Sequence, residues 1–362
     1  MFVINDANGQ SVPMNEIFEE GFNITASNFK SKNIGRVKRD VFGEYLLKTK
    51  NDGDKVNGGE IIPTGIDSLD SILGGGFKPG LYVIGANPGT GKTSLLLHIL
   101  TNLAINKKHS LFFSLDMSDI QTVIRIVANT SYRFPELDSK NINDLSNSKT
   151  IINDDGLDDE VRKIYQTYLT TIDPYINVMS IHENSLGKID RSVTYVESVG
   201  IAIKNFKKYY KTSPVVVIDY LQLLQNKPSS NYRDDNDGEI TLKSYDKRIE
   251  MDKIVDELKT LSSVYGTPII VITSTNRSSY TKSNVYESNE YDIGFSKESG
   301  NIEYTADVLI RLTSGEGTTN FGGPNQEIIN LHIAKSRVGK QHVTIPLNFI
   351  PEYAFFSEVT KD

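Results

Sequence analysis

The segment Ala-Asn-Pro-Gly-Thr-Gly-Lys-Thr at residues 86–93 constrains the fold of this chain more than any other feature. It follows an apolar run of strand length, Leu81–Gly85, and precedes a helical pattern over residues 93–106. Gly89 and Gly91 permit the tight turn that directs backbone N–H groups toward phosphate oxygens. A glycine-rich turn between a strand and a helix is typical of nucleoside-triphosphate binding, although Gly-Lys-Thr alone is also an ordinary helix start.

Each position of this loop has an expected role in holding a nucleotide. Lys92 reaches the β- and γ-phosphates, and the hydroxyl of Thr93 is placed to ligate Mg²⁺. Ala86 stands where the strict pattern has glycine, with Gly85 directly before it. We therefore predict that the loop binds a nucleoside triphosphate with Mg²⁺; the family resemblance described below implies that the nucleotide is ATP. The predicted nucleotide-binding residues are Ala86, Asn87, Pro88, Gly89, Thr90, Gly91, Lys92, Thr93 and Ser94.

Apolar runs of strand length alternate with helical patterns from about residue 61 onward. The runs are nearly continuous in apolar character, as expected for parallel strands buried on both faces. They lie at residues 81–85, 110–115, 176–181, 214–219 and 268–273, and helices are predicted at 93–106 and 248–265. Three further candidates near 307–312, 328–335 and 343–349 have short connections, which predict antiparallel strands that extend the sheet. The sequence thus predicts an α/β fold with a doubly wound, mostly parallel sheet.

A carboxylate ends one of these strands. Asp219 closes the run Pro214–Asp219. An acid at the end of a strand beside a phosphate-binding loop holds Mg²⁺ through water. Aspartate at such a place also commonly caps the next element, but the loop upstream favours the metal role.

The composition excludes several classes of protein. The 362 residues include no cysteine, which excludes disulfide scaffolds, cysteine-ligated zinc, iron–sulfur clusters and thiol catalysis. The net charge of −7 excludes a uniformly basic surface, so any DNA contact must come from local loops or from a channel formed by assembly. No apolar run approaches the roughly 20 residues that span a bilayer. Because the first residues also lack a secretory signal pattern, we expect a cytoplasmic protein with no membrane contact.

Two regions are expected along the chain. Residues 1–60 are predicted to form an N-terminal arm and linker with a short helix near 39–50, and residues 61–362 one large domain. Two polar stretches, 226–247 and 278–296, follow apolar strands. We expect both as loops at the carboxyl edge of the sheet, where ligands bind in such folds.

Five short segments resemble, in order and in spacing, the RecA-type ATPase core of the DnaB-like family of hexameric replicative helicases. The segments are Ile62–Asp70, Phe113–Ser118, Ile218–Leu223, Lys297–Asp307 and Ile333–Arg337. Each segment is weakly specific alone, whereas five in the right order are specific. The resemblance covers about residues 61–358 and implies a RecA-like P-loop NTPase core that hydrolyses ATP.

The resemblance assigns roles to individual residues, in addition to that of Lys92. Asp116 stands where the family has a catalytic glutamate that polarises the attacking water, although this carboxylate could instead cap the following helix. Ser274 stands where the family has a longer glutamine that senses the γ-phosphate. Lys335 and Arg337 align with the basic pair that reaches the nucleotide of the neighbouring subunit. Their i, i+2 spacing on a strand puts both on one face, although a solvated basic strand end would show the same pattern.

A predicted DNA-binding loop completes the resemblance. Lys297, Glu298 and Gly300 match the segment that tracks the phosphate backbone of single-stranded DNA in the family. Lysine replaces arginine at the first position, which keeps the charge but loses the bidentate fork. The alternative is a simple turn at Gly300. A ring of such loops would make a basic channel from an acidic chain, with salt-dependent contacts that are largely blind to base sequence.

The resemblance therefore implies an ATP-dependent DNA helicase that assembles as a ring, expected to be a homo-hexamer. It would move on single-stranded DNA and unwind duplex in DNA replication, with a primase or a helicase loader as further partners. Family members commonly carry an N-terminal helical collar, and about 60 residues before the motor domain are too few for it, so we expect the collar to be lacking. Two alternatives stay open. One is a nucleotide-switched DNA-binding or assembly ATPase without unwinding, and the other is a recombination ATPase of the RecA or RadA type.

Overall fold

The computed structural model describes residues 3–5, 11–13, 60–153, 156–183, 189–227, 244–274, 300–318 and 325–359. Within the N-terminal arm it describes a short antiparallel pair of strands, Val3–Asn5 with Ser11–Pro13. The helix expected near residues 39–50 lies outside the described residues, as do most of the polar stretches 226–247 and 278–296. The predicted division of the chain at residue 61 stays a prediction.

Most of the strands that the structure describes belong to one nine-stranded sheet. In chain order they are β1 (Gly80–Ala86), β2 (Ser110–Ser114), β3 (Ile176–Ser180), β4 (Val215–Asp219), β5 (Pro268–Ser274), β6 (Val308–Thr318), β7 (Glu327–Ser336), β8 (Val343–Ile350) and β9 (Phe355–Glu358). Besides the pair in the N-terminal arm, two small pairs lie outside this sheet in the described residues, Ile152–Asn153 with Gly156–Leu157 and His182–Glu183 with Ile189–Asp190.

The order across the sheet is β9-β8-β7-β6-β1-β5-β4-β2-β3. Neighbours from β6 to β3 pair in parallel. The strands β7, β8 and β9 add to the β6 side in antiparallel pairs. The predicted architecture, a mostly parallel sheet with antiparallel C-terminal strands, is confirmed.

The helices flank this sheet. They are α1 (Asp67–Leu73), α2 (Lys92–Ile105), α3 (Asp119–Arg133), α4 (Ile142–Ser146), α5 (Ser148–Ile151), α6 (Asp159–Thr167), α7 (Val196–Tyr210), α8 (Ser244–Tyr265) and α9 (Gly300–Thr305). Short 3₁₀ or π turns lie at Tyr168–Ile172, Asp173–Tyr175, Ser192–Thr194, Leu221–Leu223 and Pro351–Tyr353. In the described part of the chain, no helix has both the length and the apolar character needed to cross a bilayer.

Alternate residues of the central strands enter two separate cores. On β1, Tyr82 and Ile84 pack with residues of α2 and α3, whereas Leu81 and Val83 pack with residues of α7, α8 and α9. This alternation follows from the two-residue period of a strand. A strand that packs on both faces must be apolar at nearly every position, which is why the strand runs stand out in the sequence.

Several elements have no counterpart among the sequence predictions, and the longest of them is α7. Gly200 lies in the interior of α7, where glycine lowers helix propensity by about 1 kcal/mol relative to alanine. A Cβ at Gly200 would lie 3.0 Å from Cδ2 of Leu261 in α8. Close packing of α7 against α8 therefore favours glycine at this position and outweighs its low helix propensity.

His98 joins α2 to the end of the sheet. The ring is 3% exposed, and its Nδ1 lies 3.3 Å from Phe356 N, 3.1 Å from Arg133 Nη2 and 3.4 Å from Asn129 Nδ2. All three neighbours are donors, so Nδ1 accepts and the imidazole is neutral. Burial, together with the charge of Arg133, holds the pKa of His98 well below its usual range.

We expect the free energy of unfolding to fall as the pH is lowered from about 7.5 to about 5.5. The unfolded chain binds a proton at His98 near pH 6.5, whereas the folded chain does not, so protonation favours the unfolded state. The variant His98→Gln keeps an acceptor in the core but does not titrate. Its urea midpoint should therefore depend less on pH than that of the wild type.

A second histidine provides the control for this measurement. Burial also lowers the pKa of His109, so His109→Gln should remove a separate part of the same pH dependence. Identical pH slopes in the wild type and in His98→Gln would contradict the assignment to His98.

Candidate nucleotide-binding site

The loop between β1 and α2 has the backbone that its glycines predict. Gly89 and Gly91 have φ values of 80° and 86°, and Gly91 caps α2 in the left-handed conformation. A Cβ at Gly91 would also lie 3.1 Å from Cε1 of Phe349 in β8. Glycine alone combines this backbone with so little space. The turn leaves the amino end of α2 at the carboxyl edge of the sheet, where backbone N–H groups and the helix dipole favour a phosphate group.

The amino group of Lys92 folds back over this turn. Its Nζ donates hydrogen bonds to the carbonyl oxygens of Ala86 and Asn87, each at 2.9 Å. Burial lowers the pKa of Lys92, and the carboxylate of Asp219 opposes that shift. A charged phosphate oxygen is a stronger acceptor than a neutral carbonyl, so this amino group is suited to bind the phosphates of a nucleotide.

Thr93 and Asp219 meet at the carboxyl edge of the sheet, although they are 126 residues apart in the chain. The Thr93 hydroxyl donates to Oδ2 of Asp219 at 2.6 Å. Asp219 ends β4 and is 4% exposed. Burial raises the pKa of its carboxyl, while the hydrogen bond from Thr93 opposes the shift. A buried carboxylate of this kind gains from a nearby cation.

Their two oxygen-bearing side chains fit a magnesium ion bound together with a nucleotide. Mg²⁺ prefers oxygen ligands, and it is commonly held by one or two protein groups and the phosphates of the substrate. Among the described residues, no cluster of three histidine, cysteine, aspartate or glutamate side chains could hold a metal by itself. The arrangement therefore favours a shared site over a dedicated protein cage.

Asp116 lies on the turn after β2, close to Asp219. Ser114, which ends β2, pairs with Asp219 in the strand register, and Leu115 N donates to Asp219 O at 2.8 Å. The Asp116 side chain is exposed, and its negative charge adds to burial in raising the pKa of Asp219 and of Tyr220. The carboxylate thus stands at the open side of the candidate site.

The alternative role of Asp116 as a helix cap is wrong. Ser118 caps α3: its hydroxyl accepts from Gln121 N, and the side chain of Gln121 accepts from Ser118 N. The helix consequently begins at Asp119. The reciprocal cap satisfies two backbone donors and leaves Asp116 outside the helix.

Ser274 ends β5 beside the first residue of the phosphate loop, because the strand register pairs it with Ala86. The side-chain amide of Gln222 holds its backbone. Nε2 donates to Ser274 O at 3.2 Å and to Thr273 Oγ1 at 2.9 Å, and Oε1 accepts from Ser274 N at 3.4 Å. The sequence predictions gave Gln222 no role, although it lies three positions after Asp219 in a segment that carries the family resemblance.

Lys335 and Arg337 share one face, as their spacing predicts. Lys335 Nζ donates to the carbonyl oxygens of Glu303 at 2.5 Å and Tyr304 at 3.1 Å. Arg337 Nη2 donates to the same Tyr304 oxygen at 2.7 Å. Both basic groups therefore lie at the carboxyl end of α9. Burial and the neighbouring charge of Arg337 lower the pKa of Lys335.

The strand register separates this pair from the phosphate loop of the same chain. Lys335 pairs with Leu309, which pairs with Val83 of β1. The strand β1 continues to Ala86 before the loop begins, and Arg337 follows the end of β7. At about 3.3 Å per residue, Lys335 lies about 10 Å before Ala86 along the strand, and Arg337 lies further still. Lys335 is thus level with the middle of β1 and Arg337 with its amino half, at a distance from the loop that follows Ala86.

Part of the predicted DNA-binding loop lies outside the described residues, namely Lys297 and Glu298. Gly300 is the first residue of α9. The predicted loop therefore leads directly into the helix whose carboxyl end holds Lys335 and Arg337. The DNA contact itself stays a prediction.

The match to a known protein family covers all of these elements. The family model for the DnaB-like helicase C terminal domain matches residues 61–358. The chain belongs to this family. The resemblance of the five segments to DnaB-like helicases is thereby confirmed.

Individual relatives of the DnaB-like family are more distant. The chain is 27% identical over 254 residues to the replicative DNA helicase DnaB of Helicobacter pylori, an alignment that covers 70% of this chain and 44% of the relative. It is 28% identical over 330 residues to a probable replicative DNA helicase of Trieres chinensis, with 89% and 63% covered. For the replicative DNA helicase DnaB of Geobacillus stearothermophilus the identity is 27% over 333 residues, with 90% and 62% covered. The chain thus spans between 44% and 63% of the length of these relatives.

Two solved structures share the fold of this DnaB-like chain. One is a DnaB-like replicative helicase described with its interactions with primase, with a TM-score of 0.64, 20% identity, and coverage of 90% of this chain and 69% of that chain. The other is an ATPase domain, with a TM-score of 0.65, 20% identity, and coverage of 89% and 100%. The predicted RecA-like class of the core is confirmed by this likeness.

We expect Gln222→Ala to lower the free energy of unfolding by about 1–3 kcal/mol, because it removes three hydrogen bonds to the end of β5. The matched control is Gln225→Ala, an exposed side chain three residues later, which should change stability by less than about 0.5 kcal/mol. Urea unfolding followed by circular dichroism measures both. Equal midpoints for the two variants would contradict the structural role of Gln222.

Proposed function

We propose that this chain is the motor of an ATP-dependent DNA helicase that forms a ring, translocates on single-stranded DNA and unwinds duplex in DNA replication. The observation that carries the proposal is the separation of the two groups along one sheet: the phosphate loop follows the carboxyl end of β1, whereas the basic pair is level with the middle and the amino half of β1. A site divided in this way is completed when copies associate head to tail, and such contacts form a ring when the rotation between copies closes. The names of the relatives, replicative DNA helicases, support the same function.

The phosphate loop binds the triphosphate of ATP. Lys92 leaves the carbonyls of Ala86 and Asn87 for the β- and γ-phosphates, and the N–H groups at the start of α2 face the same oxygens. Thr93 and Asp219 hold Mg²⁺ beside the phosphates. When bound, this ion neutralises part of the charge that develops during phosphoryl transfer.

Asp116 orients the attacking water and accepts its proton. Its exposed carboxylate lies beside Asp219 and near the end of the triphosphate that the loop would hold. Ser274 ends β5, which lies between the strand that leads to the loop and the strand that ends at Asp219, and Gln222 holds its backbone there. We assign Ser274 the role of reporting the γ-phosphate to the segment that follows β5.

Lys335 and Arg337 act on the nucleotide of the neighbouring copy. Basic groups supplied from a second subunit stabilise the charge on the transferred phosphoryl group. Repetition of this contact gives a ring, and we propose six copies, as the family resemblance implies. The predicted loop of Lys297, Glu298 and Gly300 then lines the central channel and tracks the DNA backbone.

Further partners follow the same reasoning. One relative of known structure is described with primase, and we propose a primase or a helicase loader as a partner of the assembled protein. The cytoplasmic location expected from the sequence stays a prediction.

The test is the rate of ATP hydrolysis with and without a single-stranded oligonucleotide. We expect DNA to stimulate ATP hydrolysis by the wild type, Lys92→Ala to abolish turnover, and Arg337→Ala to lower kcat by about 10³-fold or more.

A fork-shaped duplex then tests strand displacement. Stimulated hydrolysis without displacement would favour the alternative of a nucleotide-switched assembly ATPase, and strand exchange by a nucleoprotein filament would favour a recombination ATPase. A rate of ATP hydrolysis that neither DNA nor Arg337→Ala changes would overturn the helicase proposal.

We expect Asp116→Asn to lower kcat by about 10²–10⁴-fold, because it removes the carboxylate that accepts a proton. Asp116→Glu keeps that carboxylate and adds one methylene, so it should retain turnover close to that of the wild type. The matched control is Asp119→Asn, on the first turn of α3, which should leave kcat within about twofold. Full activity of Asp116→Asn would show that another group positions the water.

A further inference from the structure

Asp307 is a nearly buried carboxylate where several elements meet. It lies between α9 and β6 and is 7% exposed. Its Oδ2 accepts from Leu81 N in β1 at 2.8 Å and from Lys259 Nζ in α8 at 2.5 Å. Its Oδ1 lies 3.6 Å from Nη1 of Arg337. One side chain thus joins the strand that leads to the phosphate loop, a helix, and one member of the basic pair.

The backbone of Asp307 strengthens the same junction. Its N–H donates to Leu81 O, and its carbonyl accepts from Arg337 N, both at 2.8 Å. The close approach of the carboxylate requires glycine at position 80, since a Cβ on Gly80 would lie 2.9 Å from Asp307 Oδ2. The main chain and the side chain of Asp307 together therefore fix the backbone position of Arg337 and the direction of its side chain.

The helix α9, on which the basic pair rests, is itself held against α8. Asp256 Oδ1 in α8 accepts from Asn301 Nδ2 at 2.9 Å and from Thr305 Oγ1 at 3.1 Å. The carbonyls at the carboxyl end of this helix accept from Lys335 and Arg337. The basic pair thus rests on a support that is fixed at both ends, by Asp256 and by Asp307.

Cations and carboxylates gather at this junction. Lys259, Lys335 and Arg337 lie together with the carboxylates of Asp307 and Glu303, and Asp256 binds the same helix α9. The Arg337 side chain is 52% exposed, and Asp307 approaches one of its nitrogens at 3.6 Å. The guanidinium therefore keeps exposed donors that suit a phosphate group.

We propose that Asp307 is a positioning residue that orients Arg337 of one copy toward the nucleotide of the next copy. The inference rests on the proposed function, because it requires a site shared between two copies. The contacts of Asp307 described above lie at the amino edge of the parallel strands, away from the phosphate loop of its own chain. Its loss should therefore impair the site of the neighbour and spare nucleotide binding by its own loop.

The variant Asp307→Asn keeps the shape but removes the charge. We expect kcat for ATP hydrolysis, measured with a saturating oligo-dT strand, to fall by about 10²-fold, the typical effect of a displaced catalytic group. The dissociation constant of a fluorescent ATP analogue should stay within about twofold of the wild type.

Adding Arg337→Ala to Asp307→Asn should lower kcat no further than Arg337→Ala alone, because both act through one group. Asp173→Asn, a carboxylate that accepts from the Tyr168 hydroxyl, is the matched control and should leave kcat unchanged.

Mixing two inactive variants distinguishes action in trans from action in cis. A ring assembled from equal amounts of Asp307→Asn and Lys92→Ala contains interfaces that join an intact phosphate loop to an intact basic pair. In random mixtures about one quarter of the interfaces are of this kind, so about one quarter of the wild-type rate should return. The positive control is the mixture of Arg337→Ala with Lys92→Ala, which tests the shared site without Asp307.

The outcomes separate this inference from the function on which it rests. Recovery with Arg337→Ala but not with Asp307→Asn would show that Asp307 supports its own site, and it would overturn the inference alone. Wild-type turnover by Asp307→Asn would do the same. No recovery in either mixture would overturn the shared site and the inference together.

A second variant guards against loss of folding. Removing one partner of the pair Lys259–Asp307 leaves the other charge poorly compensated. The double variant Asp307→Asn with Lys259→Met removes both charges. If it melts near the wild-type temperature and binds the analogue normally, it should still show the reduced kcat and the recovery with Lys92→Ala. Normal kcat in this folded variant would overturn the positioning role.

Discussion

Burial of the parallel strands on both faces decides where polar groups of this protein can lie. Every residue of β1, β2 and β4 is buried, and their side chains alternate between two apolar cores. A polar group without a partner in either core would be costly. Charged groups consequently collect where strands begin and end. Asp219 ends β4 and Asp307 precedes β6, and each is satisfied by donors from distant segments.

The two ends of the sheet carry different halves of the proposed chemistry. The carboxyl edge holds the glycine turn, Lys92, Thr93 and Asp219, a set that suits a nucleotide with its metal ion. The basic pair is level with the middle and the amino half of β1 because β7 runs antiparallel to β6 and returns the chain in that direction. Within one copy, the basic pair points to the carbonyl oxygens of α9 and not to the loop. In the proposed arrangement, association of copies completes the site.

Asp116 and Ser274 are the two positions at which the resemblance predicts shorter side chains than the family has. The carboxylate of Asp116, predicted to replace a glutamate, is exposed beside Asp219. Ser274, predicted to replace a glutamine, has its backbone held beside Ala86 by the amide of Gln222. The hydrogen bond from Leu115 N to Asp219 O likewise joins the segment before Asp116 to the end of β4.

The sequence by itself determined the phosphate loop, the parallel strands and the family, because each depends on residues close together in the chain. Glycines at fixed spacing make the turn, and continuous apolar runs mark strands buried on both faces. Only the tertiary structure showed that Gln222 holds Ser274, 52 residues away, and that Asp307 binds Leu81, 226 residues away. It also decided that the basic pair rests on α9, away from the loop. Such contacts depend on strand order and register, and these are set when the whole sheet packs, since no local pattern of residues encodes which strands become neighbours.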